Sequence, residues 1–192
     1  MKYLELINKM TLQEKASLCV GASYWNSKEI ERLNIPSITM SDGPHGLRVQ
    51  KTKTDNLGIN ESEISTGFPA SSTVANSWNK KMAYNLGKML AEEAKKEEVN
   101  IVLGPAINIK RSPLCGRNFE YFSEDPYLTG ILATEYVKGL QSQNVGACVK
   151  HFAVNNQENR RRTINAVIDE RALREIYLKA FEIAIKESSP WT

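Results

Sequence analysis

The stretch VNIVLGPAINIKRSPLCGRNFEYFSEDPYLTGILATEYVKGLQSQNVGACVKH, residues 99–151, decides the fold. Its first five residues, Val99-Asn-Ile-Val-Leu103, are mostly apolar and rich in β-branched side chains, and predict a strand. A loop rich in Gly, Pro, Arg and Asn follows from Gly104 to Glu124 and is too long to be a mere connector. Asp125 then reads as a helix N-cap with Pro126 at the first helical position, and Leu128, Leu132, Tyr136 and Leu140 mark a buried stripe. Gly146 to Val149 resumes strand character, and Lys150-His151 comes directly after it. Strand, helix, strand in that order is a crossover unit, which joins parallel neighbours.

The same alternation extends in both directions. Upstream, Thr11-Leu-Gln-Glu14 forms a capping box and Gly21 a stop, which predicts a helix over Leu12 to Val20. Ile38 to Met40 predicts a short strand ending in the turn Ser41-Asp42-Gly43-Pro44. A weaker apolar run, Thr73 to Ala75, precedes Asn79, an N-cap for a helix with Met82, Leu86, Leu90 and Ala94 on one face and an end near Glu98. Downstream, Asp169 caps a helix with Leu173, Tyr177, Phe181 and Ile185 at the same spacing. The chain is therefore α/β with parallel strands and crossover helices, in either an open doubly wound sheet or part of a (β/α)8 barrel. A dinucleotide-binding sheet would carry G-x-G-x-x-G at its first turn, and neither that motif nor a P-loop occurs. The polar clusters here follow several strands, as they do where strand ends converge on one barrel mouth.

Composition narrows the function classes. Twenty-five Lys and Arg against 22 Asp and Glu give a net charge of +3 over 192 residues, with 41% hydrophobic and 24% charged residues. That is the profile of a globular domain, not of a disordered, collagenous or coiled-coil chain. The basic residues are dispersed and the run Arg160-Arg161-Arg162 is short, so nucleic acid is not an expected partner. No apolar run reaches membrane-spanning length and the first fifteen residues hold no export core, which predicts a cytoplasmic protein. Three dispersed cysteines without C-x-x-C, and only two histidines, predict reduced thiols, no metal site and no cofactor.

The residues able to carry chemistry cluster after the strands. Asp42, His45 and Arg48 lie in SDGPHGLR, which also reads as a tight turn with a solvated histidine. Arg117 lies in GRNFEYFSEDP beside Phe119, Tyr121 and Phe122, whose rings could wall a sugar or simply anchor the loop. Asp125 is read as a cap and Glu120 as the partner of an arginine. Lys150 and His151 end an apolar strand, where a buried ammonium needs a carboxylate, ligand or water. Phe152 to Glu158 adds two asparagines and a glutamine, and Arg160 to Arg162 three arginines, a density of donors suited to a polyhydroxyl or anionic ligand.

Five segments in this order, SDGPHGLR, FPASSTVANSWN, GRNFEYFSEDP, KHFAVNNQE and DERALREIYLKAFE, resemble bacterial β-glucosidases of glycoside hydrolase family 3, over about Met10 to Thr192. The KHFAVNNQE form resembles the β-glucosidase branch; the KHFxGHG form of the family's N-acetylglucosaminidases is absent. The resemblance implies the first half of a (β/α)8 TIM-type barrel over residues 1–192, with the sugar before the scissile bond held by Asp42, Arg48, Arg117, Lys150, His151 and Arg161. It implies retaining hydrolysis of terminal non-reducing β-D-glucosyl residues of small β-glucosides or oligosaccharides. The Asp nucleophile, from an S-D-W-type motif on a later strand, and the Glu acid/base, from a following domain, have no match here. The expected partners are the remainder of the barrel and that domain. A 192-residue half-barrel is expected to be inactive alone and to self-associate through two unpaired strand edges. The rival reading is a non-catalytic half-barrel that binds a sugar or sugar phosphate through Arg117, Lys150 and Arg161.

Overall fold

A computed structural model describes residues 3–51 and 60–192; Met1 and Lys2 of the amino-terminal stretch read above lie outside them. The elements in chain order are helices α1 (Leu4–Lys9) and α2 (Leu12–Leu18), strand β1 (Met40–Ser41), helices α3 (Ser71–Asn76) and α4 (Lys80–Lys96), and strand β2 (Ile101–Val102). Helix α5 (Pro126–Gln141), strand β3 (Gly146–Ala147), and helices α6 (Glu170–Ala172) and α7 (Leu178–Ser188) complete it. The N-caps fall where the sequence places them, while α2 ends at Leu18 with Cys19 as its C-cap, two residues short of the Val20 end that the Gly21 stop predicts. Thr11 and Glu14 close a reciprocal capping box, and Asn79, Asp125 and Asp169 accept from the backbone amides of Met82, Leu128 and Ala172.

The sheet is parallel in the order β1-β2-β3, with Met40 opposite Ile101 and Ile101 opposite Gly146. Thr192 adds to β3 in the pattern of a parallel ladder: its amide donates to the Ala147 carbonyl (3.2 Å) and its carbonyl accepts from the Val149 amide (3.4 Å). The outer edge of β1 is covered by an antiparallel segment, with the Met40 amide donating to the Trp25 carbonyl at 2.7 Å and Asn26 bridging Thr39. The expectation of two unpaired edges is thus corrected at β1. A row of orphan donors beside β1 is satisfied locally instead of waiting for another strand.

Helices α4 and α5 pack on the sheet and on each other so closely that their backbones touch at paired glycines. A Cβ on Gly87 would lie 2.2 Å from the Tyr136 carbonyl oxygen, and one on Gly139 would lie 2.1 Å from that of Tyr84. Neither neighbour can yield, because both are backbone. Gly139→Ala is therefore expected to destabilise the protein by about 1–3 kcal/mol, the usual cost of overpacking a rigid contact; urea titration with an unchanged midpoint would contradict this packing. The close contact suits an inward face of Ala83, Leu86, Gly87, Leu90, Ala91 and Ala94, and Met82, about 110° round the axis from the centre of that face, stays half-exposed. In the last helical stretch, Leu173–Tyr177 forms a π-helical turn between α6 and α7. Beyond it the helix is regular: Tyr177, Ala180, Phe181 and Ala184 share the buried face, and Ile185, eight residues past Tyr177, lies about 80° round the axis and turns outward.

Candidate functional site

Strand direction decides where the site forms. Asp42 is the first residue beyond β1 and Lys150 lies three beyond β3, where the ladder resumes as a parallel bridge from Lys150 to Ala106. Parallel strands in register bring these two ends to the same edge of the sheet. The Lys150 Nζ donates to Asp42 Oδ1 at 2.6 Å across 108 residues of sequence, and the same ammonium lies 3.9 Å from Glu120 Oε2. Burial pushes the Asp42 carboxyl up, but Lys150, the Gly43 amide and Arg48 together hold it below its ordinary value. It is an ionised acceptor and a poor proton donor at neutral pH.

The loop that presents Asp42 is fixed from three sides. Gly43 and Gly46 take positive φ angles of 107° and 146°, and a Cβ on Gly43 would fall 1.8 Å from the Gly46 carbonyl oxygen. The Arg48 amide donates to the Asp42 carbonyl at 3.1 Å, and the Arg48 guanidinium carbon sits 5.4 Å from the centre of the Trp25 ring. Tyr136 of α5, fully buried, donates to the Pro44 carbonyl at 2.9 Å. His45, read as solvated in one of the two sequence readings, is instead half-buried: its Nε2 accepts from the Ser71 amide at 3.0 Å and lies 2.8 Å from the Ser71 hydroxyl. Its ring thereby ties the Asp42 loop to the first residue of α3.

Arg117 forms the hub of the cluster. Its Nε donates to Glu120 Oε1, its Nη1 lies 3.7 Å from Glu158 Oε1, and its Nη2 lies 2.7 Å from His151 Nε2. A guanidinium only donates, so His151 Nε2 accepts and the imidazole proton sits on Nδ1. That proton faces the Tyr121 hydroxyl at 3.1 Å, which also accepts from Asn155 Nδ2 at 2.8 Å. Burial raises Tyr121 to about 12, so it remains a phenol. Burial first, then Arg117 and Lys150, lowers His151 to about 3; burial and Lys150 lower His45 to about 4. Both rings are neutral near pH 7 in the folded chain, whereas an unfolded histidine titrates near 6.5. The unfolded state therefore binds more protons below 6.5, and stability rises with pH from about 4 to 6.5. Melting temperature should fall as pH is lowered through that window, and His151→Gln should flatten the fall. An equally steep profile in the variant would show that another group carries it.

Of the six binding candidates, the structure brings Asp42, Arg48, Arg117, Lys150 and His151 into one connected set. Arg161 joins from the periphery, exposed and 3.4 Å from Glu158 Oε2. A cavity of about 860 Å³ opens beside Arg117, His151 and Arg161, bounded by Asn155, Asn156 and Tyr177; Asp42, Arg48 and Lys150 do not line it. Of the two readings of the rings in GRNFEYF, anchoring the loop holds for two of the three. Tyr121 and Phe122 are core residues at 0% and 2% exposure and only Phe119 stays open at 58%, because the short 3-10 turn Asn118–Glu120 sends Arg117 and Glu120 inward. Two participants escaped the sequence reading, Glu158 and buried Asn108, and Asn155 enters it only as one of a run of donors. Asn108 Nδ2 donates to the Asn155 carbonyl (3.1 Å) and Asn156 Oδ1 (3.0 Å), and its Oδ1 accepts from the Asn155 amide (2.9 Å). It holds the 155–158 segment against the irregular segment that follows β2. Among the described residues no group of three His, Cys, Asp or Glu is arranged to hold a metal, and no helix is long and apolar enough to cross a membrane.

Residues 12–190 match the family described as the Glycosyl hydrolase family 3 N terminal domain. Thermostable beta-glucosidase B of Acetivibrio thermocellus is 56% identical over 97% of the chain, and an exo-alpha-(1->6)-L-arabinopyranosidase of Bifidobacterium longum is 47% identical over 97%. The chain spans about a quarter of the length of each of these relatives, 25% in both cases. Among solved structures, beta-glucosidase 3B from Thermotoga neapolitana in complex with glucose superposes with a TM-score of 0.89 at 42% identity, covering 100% of this chain and 28% of that one. In these structural neighbours the matched N-terminal domain is a TIM barrel, and the three parallel strands with their crossover helices are its first part.

Proposed function

Because the chain belongs to glycosyl hydrolase family 3, we propose that it forms the glucose-binding part of a retaining β-glucosidase, acting on terminal non-reducing β-D-glucosyl residues of small glycosides. The observation that carries this reading is the pairing of Asp42 and Lys150 at the ends of two parallel strands, with Arg117 beside them. A carboxylate accepts from sugar hydroxyls while an ammonium and a guanidinium donate to them, each by charge-assisted hydrogen bonds. His151 holds the Arg117 guanidinium through its Nε2, and Arg48 and Arg161 flank the pair, Arg161 from the exposed side. The bond is cleaved by a nucleophile and an acid/base that lie outside residues 1–192. Retaining hydrolysis needs one carboxyl that can hand over a proton, and Lys150 keeps Asp42 from that role. The three free cysteines, Cys19, Cys115 and Cys148, suit a reducing, cytoplasmic setting.

The charge count separates this reading from a sugar-phosphate binder. Arg48, Arg117, Lys150 and Arg161 supply four positive charges, and Asp42, Glu120 and Glu158 return three. With both histidines neutral, the cluster is close to balanced and suits an uncharged polyol. Calorimetric titration of the full-length protein with glucose and with glucose 6-phosphate tests this. Tighter binding of glucose is expected; tighter binding of the phosphate would overturn the reading. Nitrophenyl β-glucoside should also be cleaved faster than nitrophenyl α-L-arabinopyranoside.

A further inference from the structure

Glu120 is 4% exposed, the most deeply buried carboxylate of the cluster, yet it stands in none of the hydroxyl-binding roles assigned above. Its two oxygens face different cations. Oε1 accepts from Arg117 Nε, and Oε2 lies 3.9 Å from Lys150 Nζ. Those two cations are also the groups that would grip a ligand, and both are largely withdrawn from water, at 17% and 14% side-chain exposure. An uncompensated cation at such depth is costly and attracts any anion that enters. Asp42 neutralises Lys150 from the open side, where its own oxygens are wanted by the ligand. Glu120 neutralises both cations from behind.

We propose that Glu120 is a positioning and specificity-determining residue: it orients Arg117 and Lys150 toward the ligand and cancels their charge, so that the site takes neutral sugars and rejects sugar phosphates and sugar acids. The inference rests on the glucose-binding reading of the site. Specificity here is a difference of affinities, maintained by a carboxylate that no ligand needs to touch. Glu158 does the same at longer range for Arg117 and Arg161, being 28% exposed and 3.7 and 3.4 Å away.

The experiment compares glucose, glucose 6-phosphate and glucuronate as ligands of the full-length wild type and its Glu120→Gln variant, by calorimetry or as competitive inhibitors. Gln preserves the volume and one acceptor but removes the charge. Glucose should bind more weakly in the variant and the two anions more tightly, narrowing the neutral-to-anionic preference at least tenfold. Glu120→Asp should restore most of the preference. A residue that merely holds the loop together would weaken all three ligands alike, so a preference unchanged within twofold overturns the proposal. Should Glu120→Gln fail to fold, Glu158→Gln must shift the preference in the same direction by a smaller factor, and no shift there overturns it equally. Failure of the wild type to bind glucose would instead count against the β-glucosidase reading itself.

Discussion

Asp42→Ala in the full-length protein is expected to cost about 2–5 kcal/mol of transition-state stabilisation, roughly thirtyfold to several-thousandfold in kcat/KM. Two losses add. The sugar loses an ionised acceptor, and Lys150 loses the partner 2.6 Å from its ammonium, keeping only Glu120 at 3.9 Å. Removing one member of a shielded, hydrogen-bonded ion pair leaves the other charge stranded. The loop itself should survive, since it is held by the glycines at 43 and 46, the Tyr136 bond to Pro44 and the His45 bond to Ser71. Kinetics and a melting curve measured on the same preparation check both halves. Near wild-type turnover would remove Asp42 from the site, and a collapsed melt would make it a structural residue.

The second large effect is a complete one: the 192-residue chain by itself should release no nitrophenol from the β-glucoside. Two carboxyl groups about 5–5.5 Å apart are needed for a retaining reaction, one of them able to donate a proton. The carboxylates in this cluster are committed to cations, Asp42 to Lys150 and Glu120 to Arg117 and Lys150. The same preparation should also self-associate. Leu114, Phe152, Trp78 and Trp191 are 91%, 74%, 74% and 54% exposed, large apolar groups open to a second copy. Size-exclusion chromatography beside the assay tests the two together; an active, monomeric chain would contradict the placement of the catalytic groups.

What the sequence made legible is the local chemistry. Caps at Thr11, Asn79, Asp125 and Asp169 could be read because each acts within three residues of itself. The strand ends could be read because an apolar run followed by charge marks them, and the meeting of Asp42 with Lys150 follows from the parallel arrangement. The rest depends on contacts between distant segments. His45 reads as a solvated turn residue until α3 is placed against it. Tyr121 reads as a ligand wall until His151 and Asn155 converge on its hydroxyl. The stripe Met82, Leu86, Leu90, Ala94 misses at its start because a strict four-residue spacing drifts about 40° per step, which carries Met82 off the buried face that Ala83 and Gly87 join. Ile185 misses because a strict four-residue spacing drifts about 40° per step on a 3.6-residue helix, so the buried face passes through Ala180 and Ala184 instead.

The central claim is that residues 1–192 bind the glycone while chemistry is done by groups beyond them. A 2-deoxy-2-fluoro β-glucoside, which forms a slowly hydrolysed glycosyl ester on the nucleophile of a retaining enzyme, addresses it directly when the labelled full-length protein is digested and its peptides are mapped by mass spectrometry. The account predicts one labelled aspartate outside residues 1–192, with labelling slowed in Asp42→Ala; a label on Asp42, Glu120 or Glu158 would contradict it.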